Sequence, residues 1–323
     1  MYQKTIENFA KQFEWEPEIK EADKLKSAKR FVVIGMGGSH LAAGLLKIYN
    51  PMLDLFVHKD YGLPPLSDEI LKESLFIASS YSGNTEEVLD FIERAQELGL
   101  HIAAISTNGK LLEFAQSNNI PYIQMPDTGI QPRNALGFSL VALAKLIADE
   151  PLLAQLAQLS KQLDPLRWEE QGKDLADKLS GKVPVIYSST PNIPIAYNWK
   201  IKFNETGKIP AFYNLFPELN HNEMAGFDVI PSTKKLSDNF HFIFLQDEND
   251  HPKIKKRMEI CKQLYEERNL PVTVLELAGN TIFEKIFNSL LLADWTALHT
   301  AKLYGAEPEE VKIIEEFKQK ISK

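Results

Sequence analysis

Short β-branched segments alternate with longer amphipathic ones along the first half of the chain, and this alternation constrains the fold more than any other feature. The predicted strands of this half are Arg30–Ile34, Leu55–His58, Ser74–Ser79, His101–Ile105 and Tyr122–Met125. After the third of them, Thr85–Leu98 carries apolar side chains at i, i+3, i+4 and i+7, which is one face of a helix that Gly99 ends. Strands that alternate with helices of about 10–15 residues predict βαβ crossovers and a parallel sheet with helices on both faces.

The second half restarts the same pattern after a stretch rich in Leu and Gln, 151–182, which is predicted to form amphipathic helices. Its predicted strands are Val183–Ser189, Phe240–Leu245 and Val272–Leu277. Its predicted helices are Ile193–Glu205 and a long final helix over about 281–304. A length of 323 residues suits two domains of about 150 each. We therefore expect two α/β domains with mainly parallel sheets, one over residues 1–150 and one over residues 151–323.

Composition excludes several classes of protein. Lysine and arginine number 36 against 44 acidic residues, and this net charge of -8 argues against a nucleic-acid partner or an anionic membrane surface. No apolar run reaches the ~18 residues that span a bilayer, and the first ten residues lack a signal-peptide pattern, so a cytoplasmic protein is expected. A single cysteine, Cys261, and the absence of any H-E-x-x-H or His/Cys cluster predict no disulfide, no metal site and no metal cofactor.

A glycine-rich turn, Gly35–Ser39, lies between the first predicted strand and the helix that follows. Backbone amides and the helix dipole favour an anion at such a place, and glycine allows the close approach. A dinucleotide site would need G-x-G-x-x-G, but the third position is His40, and no acidic residue ends the second strand cleanly. A dinucleotide is therefore disfavoured, while a tight turn without a ligand stays open for this motif alone.

A second loop follows the third predicted strand and reads Ser-Ser-Tyr-Ser-Gly-Asn-Thr-Glu-Glu over residues 79–87. The hydroxyls of Ser80, Ser82 and Thr85 can donate to one phosphate, beside the free amides of a helix start. Helix capping by Thr85 would account for one hydroxyl but not for three. Two such loops in one domain predict a phosphorylated small molecule as ligand.

These motifs resemble those of the sugar isomerase (SIS) domain family, whose members bind phosphosugars with a Ser/Thr loop of the form S-x-S-G-x-T-x-E. Four more segments make the chain similar to the bifunctional phosphoglucose/phosphomannose isomerases: Asn-Glu-Thr-Gly-Lys at 204–208, Glu-Leu-Asn-His-Asn-Glu at 218–223, Pro132-Arg133 and Ala301–Gly305. The resemblance covers about residues 25–310. It implies two tandem SIS-type three-layer αβα domains, no cofactor, and hexose 6-phosphates as substrates.

The resemblance also implies a role for each matching residue. The sugar and its phosphate would be held by Gly37, Gly38, Ser39, Ser80, Ser82 and Thr85. Glu205 would be the base, Arg133 would face the developing negative charge, and His221 with Lys302 would open the sugar ring. The family associates tolerance of the C2 epimer with a threonine near the C-terminal lysine, and Thr296 is the nearest candidate.

Aldose–ketose isomerisation suits these residue types. One carboxylate suffices to take a proton from one carbon and return it to the next, because a glutamate is ionised at neutral pH. The enediolate oxygen needs a cation that stays protonated, as arginine does. Ring opening needs an acid and a base, which a histidine and a lysine supply. A single glutamate, histidine or lysine is more often a solvated surface group. The catalytic roles given to Glu205, His221 and Lys302 therefore depend on their occurring together with Arg133, in the order that the family has.

Two alternatives stay open, another SIS phosphosugar isomerase and a non-catalytic regulator that binds a sugar phosphate. The resemblance further implies a homodimer in which His221 acts in the partner's active site. The stretch Ile209–Leu219 before it is rich in proline and aromatic residues and is expected to be too irregular for a core strand. Such an excursion can reach across a two-fold axis. The opposite arrangement, in which His221 serves its own subunit, stays open.

Overall fold

In the computed structural model, which describes residues 1–321, every β-strand pairs in parallel with its neighbours, in two separate sheets. The first sheet lies in an N-terminal unit, Glu7–Leu163. The second lies in a C-terminal unit, made of Met1–Ile6 and the chain from Asp164 onward. The prediction of an α/β fold with parallel sheets is confirmed.

The N-terminal unit contains a sheet of order β2-β1-β3-β4-β5. Its strands are β1 (Arg30–Ile34), β2 (Leu55–His58), β3 (Ser74–Ser79), β4 (His101–Ser106) and β5 (Tyr122–Gln124). After helix α1 (Tyr2–Glu7), its helices are α2 (Leu41–Tyr49), α3 (Asp68–Glu73), α4 (Glu86–Glu97), α5 (Gly109–Ser117), α6 (Leu136–Leu146) and α7 (Glu150–Gln162). The central strand β3 is buried along its whole length, as expected for a strand covered on both faces.

The C-terminal unit contains a sheet of order β7-β6-β8-β9. Its strands are β6 (Val183–Ser189), β7 (Phe212–Phe216), β8 (Phe240–Gln246) and β9 (Val272–Glu276). Its helices are α8 (Glu169–Lys178), α9 (Ile193–Lys202), α10 (Lys234–Ser237), α11 (Pro252–Glu267), α12 (Ile282–Leu303) and α13 (Lys312–Ile321). Aromatic rings dominate one core of this unit, where Tyr187 packs against Phe216, Phe242 and Phe244.

The units divide at a different place from the expected boundary after residue 150. Helix α7 buries Leu152, Leu156 and Leu159 within the N-terminal unit, where it packs on the 3₁₀ segment Phe9–Glu14 and on α6. The first residues of α1 belong instead to the C-terminal unit. Packing of apolar faces sets these limits, and amphipathic periodicity alone does not say which sheet a helix covers.

Three local predictions differ from the structure. The helix expected over Ile193–Glu205 ends at Lys202, and the chain continues as a π-helical turn, Phe203–Gly207. The excursion expected to be irregular, Ile209–Leu219, contains β7, which pairs with β6 as an edge strand. Helix α13 lies in a stretch for which no helix is predicted.

Candidate active site

The N-terminal sheet places its two polar loops side by side. Strands β1 and β3 are neighbours, while β2 lies beyond β1 and β4 lies beyond β3. The chain therefore leaves the two strands in opposite directions, and open α/β sheets bind ligands in the crevice at such a switch point. The glycine loop follows β1 as a 3₁₀ turn, Gly37–His40, and the serine loop follows β3.

Hydrogen bonds join these two loops directly. The hydroxyl of Ser79 donates to the carbonyl of Ser39 at 2.9 Å, and the hydroxyl of Ser39 accepts from the amide of Tyr81 at 2.9 Å. Ser39 thus contributes a side-chain bond and a backbone bond to the neighbouring loop. The two loops form one polar surface with a defined geometry, which we call the cradle (residues 35–40 and 79–85).

Backbone conformation explains the glycines of the cradle. Gly37 has φ +51°, in the left-handed region that favours glycine. A Cβ on Gly38 would lie 2.6–2.8 Å from backbone atoms of Pro132 and Arg133, which is too close for any side chain. The cradle therefore packs directly on the 3₁₀ turn Pro132–Asn134, and Arg133 is buried there with 1% of its surface exposed.

The three hydroxyls of the serine loop have different surroundings. Ser80 is fully buried, and its hydroxyl lies 2.7 Å from the hydroxyl of Thr85. Thr85 occupies the N-cap position of α4, but its side chain makes no capping hydrogen bond. Two bonded hydroxyls use one hydrogen between them, so the other stays available to a ligand, beside the first amides of α4. Ser82 is exposed, and its hydroxyl accepts from the amide of Asn84 at 3.3 Å.

Residues at the end of β4 also hold the serine loop in place, and the sequence motifs did not indicate them. The hydroxyl of Thr107 donates to the carbonyl of Tyr81 at 2.6 Å, and its amide donates to the same oxygen at 3.1 Å. Asn84 accepts from the amide of Lys110 at 3.3 Å. A Ser-Thr pair, Ser106-Thr107, directly after a predicted strand was the available signal, since the same pattern marks the serine loop.

Glu205 lies in the π-helical turn of the C-terminal unit, which packs on α12. Such turns widen a helix at one point and are frequent at functional sites. The carboxylate-bearing residue is partly exposed, whereas its neighbours Thr206 and Gly207 are buried. The Nζ of Lys208 donates to the carbonyl of Glu205 at 2.5 Å, so the end of the turn is held as well. Burial, assisted by the nearby phenol of Tyr213 and by Glu205, raises the pKa of Tyr197.

His221 is exposed at the end of a 3₁₀ turn, Glu218–His221, which follows the edge strand β7. Leu219 of the same turn is fully buried and anchors it. Two residues further on, the carboxylate of Glu223 accepts hydrogen bonds from the phenol of Tyr187 on β6 and from the side-chain amide of Asn214 on β7. These bonds hold the loop against the two strands. Burial of Tyr187, with its neighbours Tyr265 and Glu223, raises its pKa.

Lys302 lies exposed in the last turn of α12, with its Nζ 3.5 Å from the side-chain oxygen of Gln3. The π-helical turn contacts the same end of α12, because a Cβ on Gly207 would lie 3.5 Å from Thr300. The structure thus brings the turn of Glu205 close to the helix end that carries Lys302. Thr296, one turn earlier, is fully buried, and its hydroxyl donates to the carbonyl of Leu292 at 2.7 Å.

Among residues 1–321, no group of three or more His, Cys, Asp or Glu side chains is arranged to hold a metal ion. In the same range no helix combines the length and apolar character that a membrane span requires.

Comparison with known proteins gives concordant matches. The family model of the bacterial phospho-glucose isomerase C-terminal SIS domain matches residues 168–321. The bifunctional phosphoglucose/phosphomannose isomerase of Aquifex aeolicus is 36% identical, over 99% of this chain and 98% of its own. The protein of the same name from Caldicellulosiruptor bescii is also 36% identical, over 98% and 96%. A solved structure, a hypothetical protein of Thermus thermophilus, shares the fold with a TM-score of 0.68 and 18% identity, over 98% of this chain and 87% of its own.

Proposed function

Since this chain belongs to the bifunctional phosphoglucose/phosphomannose isomerase family, we propose that it interconverts glucose 6-phosphate or mannose 6-phosphate with fructose 6-phosphate. The observation that carries the proposal is the cradle at the switch point of the N-terminal sheet, against which the turn of Arg133 packs. No step of this reaction requires a metal or a cofactor.

The cradle binds the phosphorylated substrate through hydroxyls and amides. Thr85 offers a hydroxyl that is not used for helix capping, and Ser80 holds it from the buried side at 2.7 Å. The amides at the start of α4 add donors for an anion. Fixing the phosphate orients the reacting carbons, so binding energy from a remote group lowers the barrier of the chemical step.

Proton transfer is the task of Glu205. Its carboxylate takes the proton from C2 of the open-chain aldose and returns it to C1, which gives the ketose through a cis-enediolate. In the reverse direction the proton moves from C1 to C2. Arg133 stabilises the enediolate oxygen, because a guanidinium stays charged throughout. Return of the proton to either face of C2 accounts for acceptance of both epimers.

Ring opening precedes this step and requires an acid and a base. His221 is exposed on its loop, and an imidazole can serve as either acid or base. The ammonium of Lys302 polarises the ring oxygen as the C1–O5 bond breaks. A coupled assay of the purified chain with each of the two aldose phosphates tests the function, and we expect turnover of both, unchanged by EDTA. Binding without turnover would instead indicate a sugar-phosphate-binding regulator, and turnover of only a different phosphosugar another SIS isomerase.

The functional assembly in this proposal is a homodimer in which His221 completes the site of the partner. Two features support it. His221 follows an edge strand, and that strand exposes Phe212 and Tyr213 to 56% and 37%. Exposed aromatic side chains on an unpaired edge are unfavourable in an isolated chain. The cytoplasmic location stays a prediction.

Mixing two inactive variants tests the shared site. In a mixed dimer of Glu205→Gln and His221→Ala chains, one composite site carries both changes and the other carries neither, so activity returns. If each site uses the His221 of its own chain, both sites of the mixed dimer stay damaged. Native mass spectrometry shows whether mixed dimers have formed. Their presence without regained activity would contradict the shared site.

A further inference from the structure

A buried ion pair lies directly before the turn that carries Glu205. The Nζ of Lys202 is 2.6 Å from the carboxylate of Asp294 on α12, and the two side chains are only 2% and 3% exposed. Removing two charges from water costs about as much as their attraction returns, so such a pair adds little to stability. Its effect is geometric, because it fixes the last residue of α9 at one point along α12.

Tyr2 connects this pair to the other side of the turn. Its phenol oxygen lies 3.4 Å from the carboxylate of Asp294 and 2.8 Å from the hydroxyl of Thr206. A carboxylate only accepts, so the phenol hydrogen goes to Asp294 and Thr206 donates to the phenol. The phenol ring and the threonine are buried, with 3% and 0% exposed. We refer to Lys202, Asp294, Tyr2 and Thr206 as the positioning network.

The positioning network surrounds Glu205 in the sequence and fixes the backbone on both sides of it. Lys202 is the last residue of α9, and Thr206 follows Glu205 inside the π-helical turn. A π-helical turn lacks the regular i to i+4 ladder, so its shape depends more on tertiary contacts. Lys202 contacts the carboxylate of Asp294 directly, and Thr206 is connected to the same carboxylate through the phenol of Tyr2.

We propose that the positioning network sets the carboxylate of Glu205 for proton transfer between C1 and C2. Its members do not touch substrate and act through the backbone of the turn. The proposal rests on the proposed function, in which Glu205 is the base. Misplacement of a reacting group by about 1 Å can cost as much as 10²-fold in rate.

The first test is Tyr2→Phe, which removes one hydroxyl and keeps the buried ring. We expect kcat to fall about tenfold with fructose 6-phosphate, while KM stays within about twofold because the cradle is untouched. Exchange of the C2 proton of the aldose phosphate with deuterated solvent should slow by the same factor, since that exchange reports the proton transfer itself. The matched control is Tyr122→Phe, which removes a phenol that accepts from Gln116 on the surface of the N-terminal unit.

The second test separates positioning from stability. Single replacement of Lys202 or Asp294 leaves an unpaired buried charge, which destabilises the fold strongly. The double variant Lys202→Met with Asp294→Leu replaces the pair by apolar side chains of similar size. We expect it to fold, with a melting temperature close to that of the parent, and still to lose kcat at least tenfold.

Two outcomes would overturn the inference. The first is a normal kcat in both Tyr2→Phe and the folded double variant, together with an inactive Glu205→Gln. This result would reject the positioning role and leave the proposed function intact. The other is full activity of Glu205→Gln, which removes the proposed base and the positioning role with it.

Discussion

The two units share one topology but differ at their switch points. In the C-terminal unit β6 and β8 are neighbours, with β7 beyond one and β9 beyond the other, as in the N-terminal sheet. The loop after β6 contains Pro191 where the cradle has glycines. The loop after β8 is acidic, and Lys285 of α12 donates to its Asp247 at 3.1 Å and to its Glu248 at 2.7 Å.

Under the proposed function, this difference means that topology supplies a place for a ligand and that loop chemistry decides whether one binds. Proline removes an amide donor, a side chain at a glycine position blocks close approach, and carboxylates repel a phosphate. Lys285, which faces this loop from α12, is already paired with two of its carboxylates, Asp247 and Glu248. The C-terminal unit instead offers its candidate catalytic groups on other elements: the π-helical turn, the loop after β7 and the end of α12. A fold therefore does not by itself locate a site.

Replacement of Glu205 is expected to have the largest effect and to assign catalysis to the C-terminal unit. Glu205→Gln keeps the shape of the side chain but cannot accept a proton, so kcat should fall by about 10²–10⁴-fold. Binding of the sugar phosphate should persist, because the cradle belongs to the other unit. Steady-state kinetics measures kcat, and isothermal titration calorimetry measures the binding of the sugar phosphate. Glu97→Gln, an exposed residue at the end of α4, is the matched control; equal activity in both variants would reject the division of labour.

Replacement of Thr85 is expected to have an intermediate effect and to distinguish the two switch points directly. Thr85→Val removes a partly exposed hydroxyl of the cradle that is not used for helix capping, and losing a hydrogen bond to a charged ligand costs about 1.5–3 kcal/mol. The KM for fructose 6-phosphate should rise about 10–150-fold, with a smaller rise for Ser80→Ala because that hydroxyl is buried.

The control for this experiment is Thr190→Val, which removes a hydroxyl from the loop after β6, at the switch point of the C-terminal sheet. That hydroxyl donates to the carbonyl of Phe216 at 3.2 Å, and we expect no change in KM. A KM that rises equally in Thr85→Val and Thr190→Val would mean that both switch points bind the ligand.

The smallest expected effect is on acid stability, because each unit contains a buried histidine with a lowered pKa. Burial lowers the pKa of His40 and that of His241 from 6.5 to about 4, with nearby lysines acting in the same direction. Below pH 6.5 the unfolded chain binds protons that the folded chain does not, so stability is complete above pH 6.5 and decreases as the pH falls toward 4. His40→Gln and His241→Gln should each make this decrease shallower, by roughly 2–4 °C in Tm at pH 4.5.

Calorimetry from pH 7 to pH 4.5 measures the decrease in Tm with falling pH. Each histidine variant serves as the control for the other. If the units unfold separately, each variant should affect only the transition of its own unit. Slopes identical to that of the parent in both variants would show that neither histidine contributes.

Strands and loops of the N-terminal unit were predictable because their signals are local. Short apolar runs predicted β1, β2 and β3 with the bounds that the structure has. The end of α9 was not predictable, since Asn204-Glu205 has no helix-breaking residue. At that point Lys202 pairs with Asp294, 92 residues away in the chain, and no local pattern indicates such a contact. Strand β7 was missed because its flanking prolines and exposed aromatic side chains are typical of loops.

For the site, short motifs indicated which residues to consider but not their individual surroundings. The sequence suggested three equivalent hydroxyls, whereas the structure buries Ser80, leaves Ser82 exposed and places Thr85 between them in exposure. Such differences depend on which strand end and which helix surround each side chain. Those contacts arise from tertiary packing, to which a single sequence gives no direct access.

The division of the chain has a consequence for its biosynthesis. Tyr2 is made 204 and 292 residues before its hydrogen-bond partners Thr206 and Asp294. During translation the N-terminal unit, Glu7–Leu163, can fold while the segment before it still waits for the C-terminal unit. Only when α12 has left the ribosome can the phenol reach its final place. In this order of events the turn that carries Glu205 acquires its geometry only after α12 has been made, when the residues of the cradle have long been available to fold.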